Sequence, residues 1–435
     1  MNKNKRLHHF VRDGYIYAFN PGNMGAIRCP SNIELKDCSN YSDIVSDTAN
    51  SNIDNDKRDQ LELVLNVSQE CNLQCSYCFS LNQDKRKMGR HVAEKALEYF
   101  VQVFEFGSLK LHFFGGEPLT NFETIKYSVE KAKQLSSIHN FGSPIFSIVT
   151  NGTLVTDKVA DFFNENAFEV QVSIDGPKEV HDKFRLLRSG KGSHERVIKC
   201  LELLKKYEKI KISTSSVITK SSDVKNVYSY LAKTAPSIKN MKLDMVYDFH
   251  GSNTTEFSST QKDFQHNYVS HFKFLVNEYI KTLKNLRRPS EYNFTHSVLL
   301  LWGKQNKNRY CPAASSRFSI NTEGMIYPCG GAASLEEYAI GNIYDGIDQT
   351  LTGKFDDTLN IHLKEPCASC WAKPLCLGGC PLTLRNGTNR QHCDIRKAMA
   401  EAAIEIYATL KEENPIAFTA LVDEKLSEDL RSLLI

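Results

Sequence analysis

Cys71, Cys75 and Cys78 are spaced C-x3-C-x2-C, with Tyr77 just before the third cysteine. Three thiolates are one too few for a closed four-ligand site. A [4Fe–4S] cluster held by three thiolates keeps one iron open to a ligand that is not protein, and an open iron is a place for chemistry. A structural zinc site is the alternative, but zinc favours four closed ligands and this loop supplies three.

A second group lies in the last third of the chain. Cys311, Gly324 and Cys329 read C-x12-G-x4-C. After a 37-residue gap, Cys367, Cys370, Cys376 and Cys380 read C-x2-C-x5-C-x3-C, and Cys393 follows after a 12-residue gap. A zinc ribbon would use Cys367, Cys370, Cys376 and Cys380 and leave Cys311, Cys329 and Cys393 without a role. Ten of the thirteen cysteines thus have metal-type spacing, while Cys29, Cys38 and Cys200 read as free thiols. Shorter motifs complete the candidates: Gly115-Gly116-Glu117-Pro118, Thr150-Asn151-Gly152, Ser173-Ile174-Asp175-Gly176 and His181-Asp182-Lys183-Phe184-Arg185.

To act together these residues must be brought to one place. From Leu61 onward, apolar runs of strand length alternate with amphipathic stretches. Strands are predicted at Leu61–Val67, Leu109–Phe114, Ile145–Thr150, Glu169–Ile174, Ile210–Thr219 and Met241–Tyr247. Helices are predicted near His91–Phe106, Glu123–Leu135, Asp157–Asn166, His194–Tyr207 and Asp223–Lys233, with Asp157 and Asp223 as N-caps or first-turn acids. Such β-α repetition predicts an α/β fold with a parallel sheet and right-handed crossovers. Six units make an open barrel, where eight would close it. Ligands of α/β sheets gather at the carboxyl ends of the strands. The cysteine loop and the three motifs at residues 115, 150 and 173 each follow a predicted strand.

Outside the repeat, Tyr15–Phe19, the turn Asn20–Asn23 and Met24–Ile27 read as a β-hairpin, and Ser39–Asp47 offers at most one short helix. Thr48–Asp59 reads as a polar linker and Gly251–Thr260 as a polar loop. Gln261–Leu286 reads as a long helical bridge carrying Phe264, Phe272, Phe274 and Leu275. Asn321–Gly324 reads as a turn between Phe318–Ile320 and Met325–Tyr327 that brings Cys311 and Cys329 together. A charged, Ala-rich helical tail follows Cys393. The expected domains are residues 1–57, 58–250, 251–305, 306–395 and 396–435.

The first cysteine group resembles that of the radical S-adenosylmethionine (SAM) superfamily, and the second the seven-cysteine SPASM domain of its peptide-maturing members. The resemblance implies a partial (β/α)6 TIM-like barrel, a C-terminal SPASM domain and a short N-terminal hairpin segment. It implies that SAM chelates the open iron held by Cys71, Cys75 and Cys78, and that the reduced cluster cleaves it to a 5′-deoxyadenosyl radical. Tyr77 would lie against the adenine, with core packing as its alternative. Gly115, Gly116, Glu117 and Pro118 would receive the SAM amino group. Ser173 would sit near its carboxylate or ribose. Arg185 would pair with the carboxylate or form a structural ion pair, and Asn151 would line the ribose side or serve a turn. Cys367, Cys370, Cys376 and Cys393 would hold an outer auxiliary cluster, and Cys311, Cys329 and Cys380 an inner one. Trp302–Tyr310 contains no cysteine, so the inner cluster would have an open iron or a non-cysteine ligand. The implied cofactors are SAM and three [4Fe–4S] clusters.

The rest of the composition is that of an ordinary globular chain. Of 435 residues 41% are hydrophobic and 24% charged, and the net charge of +3 makes no case for nucleic acid or a membrane surface. No apolar run approaches a membrane span. A reducing cytoplasmic setting is expected, where cysteines serve as metal ligands and not as disulfides.

The resemblance implies a radical SAM oxidoreductase that crosslinks side chains of a ribosomally made precursor peptide, through carbon–carbon (cyclophane) or thioether bonds. The expected partners are that peptide and an electron donor such as flavodoxin or ferredoxin. An anaerobic sulfatase maturase, which makes formylglycine, is the alternative. That branch carries an aspartate just after the second SPASM cysteine, where this chain has Gly330. A non-catalytic metal-bound scaffold or electron carrier would leave Gly115–Pro118 and Ser173 without a role. Epimerisation and small-molecule dehydrogenation stay open. The N-terminal hairpin resembles the start of a leader-binding domain, with the bland alternative that it covers a barrel edge.

Overall fold

The computed structural model describes residues 7–46, 51–52, 60–78, 85–219, 222–234, 238, 240–245, 269–290, 294–384, 390–423 and 426. The chain divides into two compact units. One comprises residues 1–55, 260–310 and 359–435, and the other residues 56–259 and 311–358.

In the first unit, β1 (His8–Arg12), β2 (Tyr15–Asn20) and β3 (Gly25–Pro30) form an antiparallel sheet with β2 in the middle. The predicted hairpin is present, and β1 adds a third strand that the sequence reading did not include. Its residues His8 to Arg12 alternate half-buried and exposed, too weak a pattern to stand out beside a polar terminus. The short helix α1 (Ser42–Val45) buries Ile44 with Ala18 and Ile27. Asn20 and Asn23 hold it by donating to the carbonyls of Ile44 (2.6 Å) and Ser46 (2.7 Å).

The sheet packs on a long helix, Arg390–Glu413. Arg12 pairs with Glu401 and Glu405, Arg28 with Glu412 and Glu413, and Lys411 with Asp43. This helix starts before Cys393 and stops at Asn414-Pro415, because proline cannot continue it. The predicted tail thus begins before Cys393 as this helix and goes on through the turn Pro415–Phe418 and the short helix Thr419–Val422, while residues 427–435 lie outside the described residues. Of the predicted bridge, the described part holds the helix Phe272–Lys284. Phe264 and the loop Gly251–Thr260 lie outside the described residues.

The second unit carries the β-α repeat. β4 (Gln60–Ser68), β5 (Ser108–Gly115), β6 (Gly142–Thr150), β7 (Glu169–Ser173), β8 (Lys211–Ile218) and β9 (Asn240–Met245) are parallel and adjacent in that order. Between them run α2 (Arg90–Val103), α3 (Phe122–His139), α4 (Asp157–Glu165), α5 (Lys178–Phe184), α6 (His194–Leu204) and α7 (Val224–Thr234). The arrangement is the open, partial barrel that the β-α repetition predicts. Only α5 was missed, because its seven residues are too few to show a helical period.

Alternation along the strands sorts the two faces. Leu61, Leu63, Leu65, Val67, Leu109, Leu111, Phe113, Ile148, Val170 and Val172 are fully buried. The opposite face carries Glu62, Lys110, His112, Ser147, Glu169 and Ser173, a polar lining paired within itself. Lys110 meets Glu169 at 2.7 Å and His112 Nδ1 meets Ser147 Oγ at 2.8 Å.

The sheet does not end at β4. β10 (Arg317–Ile320) joins β4 in parallel, followed by β11 (Met325–Tyr327), β12 (Gly341–Asn342) and β13 (Gly346–Ile347) in antiparallel order. The junction is tied by Arg317, which donates twice to Glu62 Oε2 (2.8 and 2.6 Å), and by Asn66, which donates to Ser319 Oγ at 2.7 Å. Among the described residues no helix is long and apolar enough to cross a membrane.

Candidate functional site

The carboxyl ends of β4 to β7 bring the sequence candidates of this unit to one rim. The cysteine loop follows β4, Gly115–Pro118 closes β5, Thr150–Gly152 closes β6 and Ser173–Gly176 closes β7. Two glycines allow the closest approach. A Cβ on Gly115, whose φ is +132°, would lie 2.1 Å from the Ser68 carbonyl, and one on Gly116 would lie 2.5 Å from that of Glu70. Backbone bonds from Gly116 N to Ser68 O (2.7 Å) and Glu117 N to Glu70 O (2.8 Å) then fix the root of the cysteine loop.

The far side of the loop is fixed by the segment after α5. Gln74 N donates to Leu186 O (2.8 Å), Ser76 N to Phe184 O (3.1 Å) and Arg188 Nε to Cys71 O (2.7 Å). Asn151 reaches the loop as well, donating to Asn72 Oδ1 at 2.9 Å, while Asn72 donates to Thr153 Oγ1 at 2.7 Å.

Glu117 is fully buried. Its carboxylate accepts from Leu119 N (3.1 Å), Thr150 Oγ1 (2.8 Å) and Asn151 N (2.8 Å), so it ties the end of β5 to the end of β6. Burial pushes its pKa up to about 7 despite these three donors.

Asp175 holds the next layer. Its Oδ2 accepts from Arg185 Nε at 2.9 Å and from the Tyr77 phenol, and its Oδ1 accepts from Val217 N at 2.9 Å. The Arg185 guanidinium lies 5.3 Å from the Tyr77 ring centre. A second path joins the same two residues. Asp175 N donates to His181 Nδ1 (3.2 Å), His181 Nε2 pairs with Ser193 Oγ (2.9 Å), and Ser193 donates to Arg185 O (2.7 Å). With Nδ1 accepting, the imidazole proton sits on Nε2. Burial lowers the His181 pKa to about 3, so the ring is neutral.

The chemistry of the donor set fits an iron–sulfur cluster. The charges of Cys71, Cys75 and Cys78 bear on one another, and burial pushes the thiols of Cys71 and Cys75 up to about 12 and 11. Thiolates there need a compensating cation, which bound iron provides. Among the described residues no three His, Cys, Asp or Glu side chains converge on a point for a single ion. A cluster with a separate iron for each thiolate needs no such convergence.

In the other unit, Cys367, Cys370, Cys376 and Cys393 also act electrostatically on one another, and Cys370 N donates to Cys367 O at 3.1 Å. Cys380 follows the short helix Lys373–Cys376. In the barrel unit the β10–β11 turn places Ala314 N within 3.2 Å of Pro328 O, which draws the chain at Cys311 toward that at Cys329.

The family model described as the Radical SAM superfamily matches residues 65–222, the stretch that carries the whole rim. A cysteine-type anaerobic sulfatase-maturating enzyme of Clostridium perfringens is 30% identical over 342 residues, 73% of this chain and 88% of that protein. The chain belongs to the radical SAM maturase family. This radical SAM maturase also resembles the solved structure described as native anSMEcpe with bound AdoMet and Kp18Cys peptide. Identity is 26%, the TM-score is 0.68, and 81% of this chain and 99% of that one are covered. Streptococcus suis SuiB bound to precursor peptide SuiA shares the fold, at 16% identity and a TM-score of 0.54, over 88% of this chain and 96% of that one.

Sequence reading of the maturase placed Asp175 and His181 in motifs but gave them no task, and passed over Ser193, Arg188 and Asn72. A strand-end aspartate ten residues before a buried arginine was the available signal. Ser193 and Asn72 carry none, because their partners are set by the fold.

Proposed function

We propose that this radical SAM maturase oxidises a ribosomally made precursor peptide, joining two of its side chains through a carbon–carbon or thioether bond. When bound, SAM and its cluster supply a hydrogen-abstracting 5′-deoxyadenosyl radical. Cys71, Cys75 and Cys78 hold that cluster. Gly115–Pro118 present backbone carbonyls to the SAM amino group. Ser173 would lie near its carboxylate or ribose, Tyr77 near its adenine and Asn151 near its ribose, while Arg185, held by Asp175 at 2.9 Å, would turn its remaining donors to the carboxylate or serve only that ion pair. Cys367, Cys370, Cys376 and Cys393 hold an outer auxiliary cluster and Cys311, Cys329 and Cys380 an inner one, to accept the second electron. In this reading residues 58–250 form the SAM domain and 306–395 the SPASM domain.

The observation that carries the reading is Gly330. A side chain there would meet Val64 Cγ1 at 3.3 Å and Phe114 Cδ1 at 3.6 Å, over the polar face of the sheet. Sulfatase maturases carry an aspartate at that position by the resemblance above. This chain offers no acid there, which argues against activating a serine or cysteine for conversion to an aldehyde. The second reading, formylglycine formation, is favoured by the similarity to the sulfatase-maturating enzymes.

One assay separates the two. The reconstituted enzyme is incubated with SAM, a reductant and candidate peptides from neighbouring genes or sulfatase sequences. A product two hydrogens lighter that ignores aldehyde reagents and resists sequential fragmentation supports the crosslink. A hydrazide-reactive aldehyde on a sulfatase peptide overturns it.

Peptide capture falls to the edges of the N-terminal sheet. One face of this sheet is covered by α1, whose Asp43 carbonyl stands 2.0 Å from where a Cβ on Gly25 would sit. The added strand would pair at an outer edge of the sheet, with β1 as the edge to probe. Deleting residues 1–57 would strip the Arg390–Glu413 helix of its cover, so a proline at Val11 is the cleaner probe of peptide affinity.

A further inference from the structure

Cys29, Cys38 and Cys200 are the three cysteines that the proposed clusters do not use. Cys200 is enclosed beside Gly152 and Val172. Cys29 and Cys38 are different because they face each other. Cys29 lies on β3 and is fully buried, while Cys38 closes the turn Leu35–Asp37 and is partly exposed. The Cys38 thiol lies 3.4 Å from the carbonyl oxygen of Arg28, the residue before Cys29, and the two thiols are near enough to bear on each other electrostatically. Neither is bridged in this structure.

We infer that Cys29 and Cys38 form a reversible disulfide, a redox-modification site in the N-terminal sheet that is separate from the cluster ligands. The oxidant is a low-molecular-weight disulfide. The Cys38 thiolate attacks one of its sulfurs, the oxidant's S–S bond breaks, one small thiolate leaves and a mixed disulfide forms. Cys29, deprotonated, then attacks Cys38 Sγ and expels the second small thiolate. The two protein thiols lose two protons and two electrons, and the oxidant leaves as two thiols. Burial pushes the Cys29 thiol up to about 11, which assigns the first attack to the exposed partner.

The bridge would close the loop from residue 29 to residue 38. That loop leads into α1, whose Asp43 carbonyl already abuts Gly25 on the same strand. Oxidation would therefore fasten the outer edge of β3 to the turn before α1 and stiffen the sheet. The expected consequence is a rise in the thermal midpoint that dithiothreitol reverses, with SAM cleavage unchanged.

The test uses the reconstituted holoenzyme under anaerobic conditions with oxidised glutathione. Remaining thiols are blocked with N-ethylmaleimide in denaturant, and tryptic peptides are weighed. Iron is measured before and after, so that released cluster cysteines are recognised. The expected product is Cys29–Lys36 joined to Asp37–Lys57, two hydrogens lighter than the reduced pair. Finding both cysteines maleimide-labelled, or Cys38 carrying glutathione beside a labelled Cys29, overturns the proposal. Cys38→Ser, at a partly exposed position, should fold, keep SAM cleavage within twofold and lose the redox-dependent shift in midpoint. If that variant still shows the shift, the bridge is not its cause and the proposal fails.

Discussion

Asp175 and Arg185 form a buried ion pair, Nε to Oδ2 at 2.9 Å, with 1% of the aspartate side chain and 10% of the arginine side chain exposed. The pair is joined a second time through His181 and Ser193, so its orientation is fixed from both backbones. The Tyr77 phenol meets the same carboxylate oxygen, which places the middle of the cysteine loop under the control of one residue on β7's end.

Asp175→Asn keeps the shape and leaves the guanidinium without its counter-charge. Breaking a buried pair by removing one partner costs about 3–5 kcal/mol. The variant should show a clear drop in denaturant midpoint and at least tenfold weaker SAM binding by calorimetry. Asp175→Glu, which restores the charge, should regain part of the SAM affinity. Wild-type affinity in a destabilised Asp175→Asn protein would confine the pair to a structural task.

Glu117 gives a pH signature. Its folded pKa is raised to about 7 from an ordinary 4.5, so the folded state binds more proton than the unfolded state between those values. Stability should therefore fall as pH rises from about 5 to 7, by about 3 kcal/mol in total, and level off above that. Glu117→Gln should flatten this slope while lowering overall stability, because the amide cannot accept from all three of its donors. Urea titrations of the SAM-free protein at a series of pH values measure both effects. A wild-type curve that rises through this window would mean that the carboxylate stays ionised.

Iron content tests the cysteine assignments. Three cubane clusters predict ~12 Fe per chain after anaerobic reconstitution. Replacing Cys71, Cys75 and Cys78 by alanine should remove about a third of the iron and abolish conversion of SAM to 5′-deoxyadenosine. Zinc in the C-terminal sites, with iron confined to a single cluster's worth, would rule out the auxiliary clusters.

Cys367→Ala and Cys376→Ala separate the first electron from the second. Both should retain 5′-deoxyadenosine formation and lose the oxidised peptide, read from the same reaction by chromatography and mass. A normal peptide yield from a stably folded variant lacking the outer cluster would remove that cluster from the electron path.

The barrel was legible because each strand announces itself locally, through apolar runs such as Leu61–Val67, and because strand ends collect ligands. The same logic placed the cysteine loop and Gly115–Pro118 on one rim. Three features were hidden. β1 has a weak alternation and gains its partner only from the turn at Asp13-Gly14. The β4–β10 pairing joins Glu62 to Arg317 across 255 residues, and no local pattern reports a partner that distant. The Glu117 carboxylate was read as a SAM contact, yet its three hydrogen bonds within the chain depend on where β6 ends, which spacing alone does not give.

The β4–β10 pairing also has a consequence for biosynthesis. β4 is the first barrel strand to leave the ribosome, and its second neighbour emerges 255 residues later. At ~5–20 residues per second, one edge of this highly apolar strand stays uncovered for on the order of ten to fifty seconds. During that interval it can pair with the edge of another nascent chain. Yield in the cell should therefore depend on translation speed between residues 68 and 317 and on chaperones that shield the edge, more than on the stability of the finished fold.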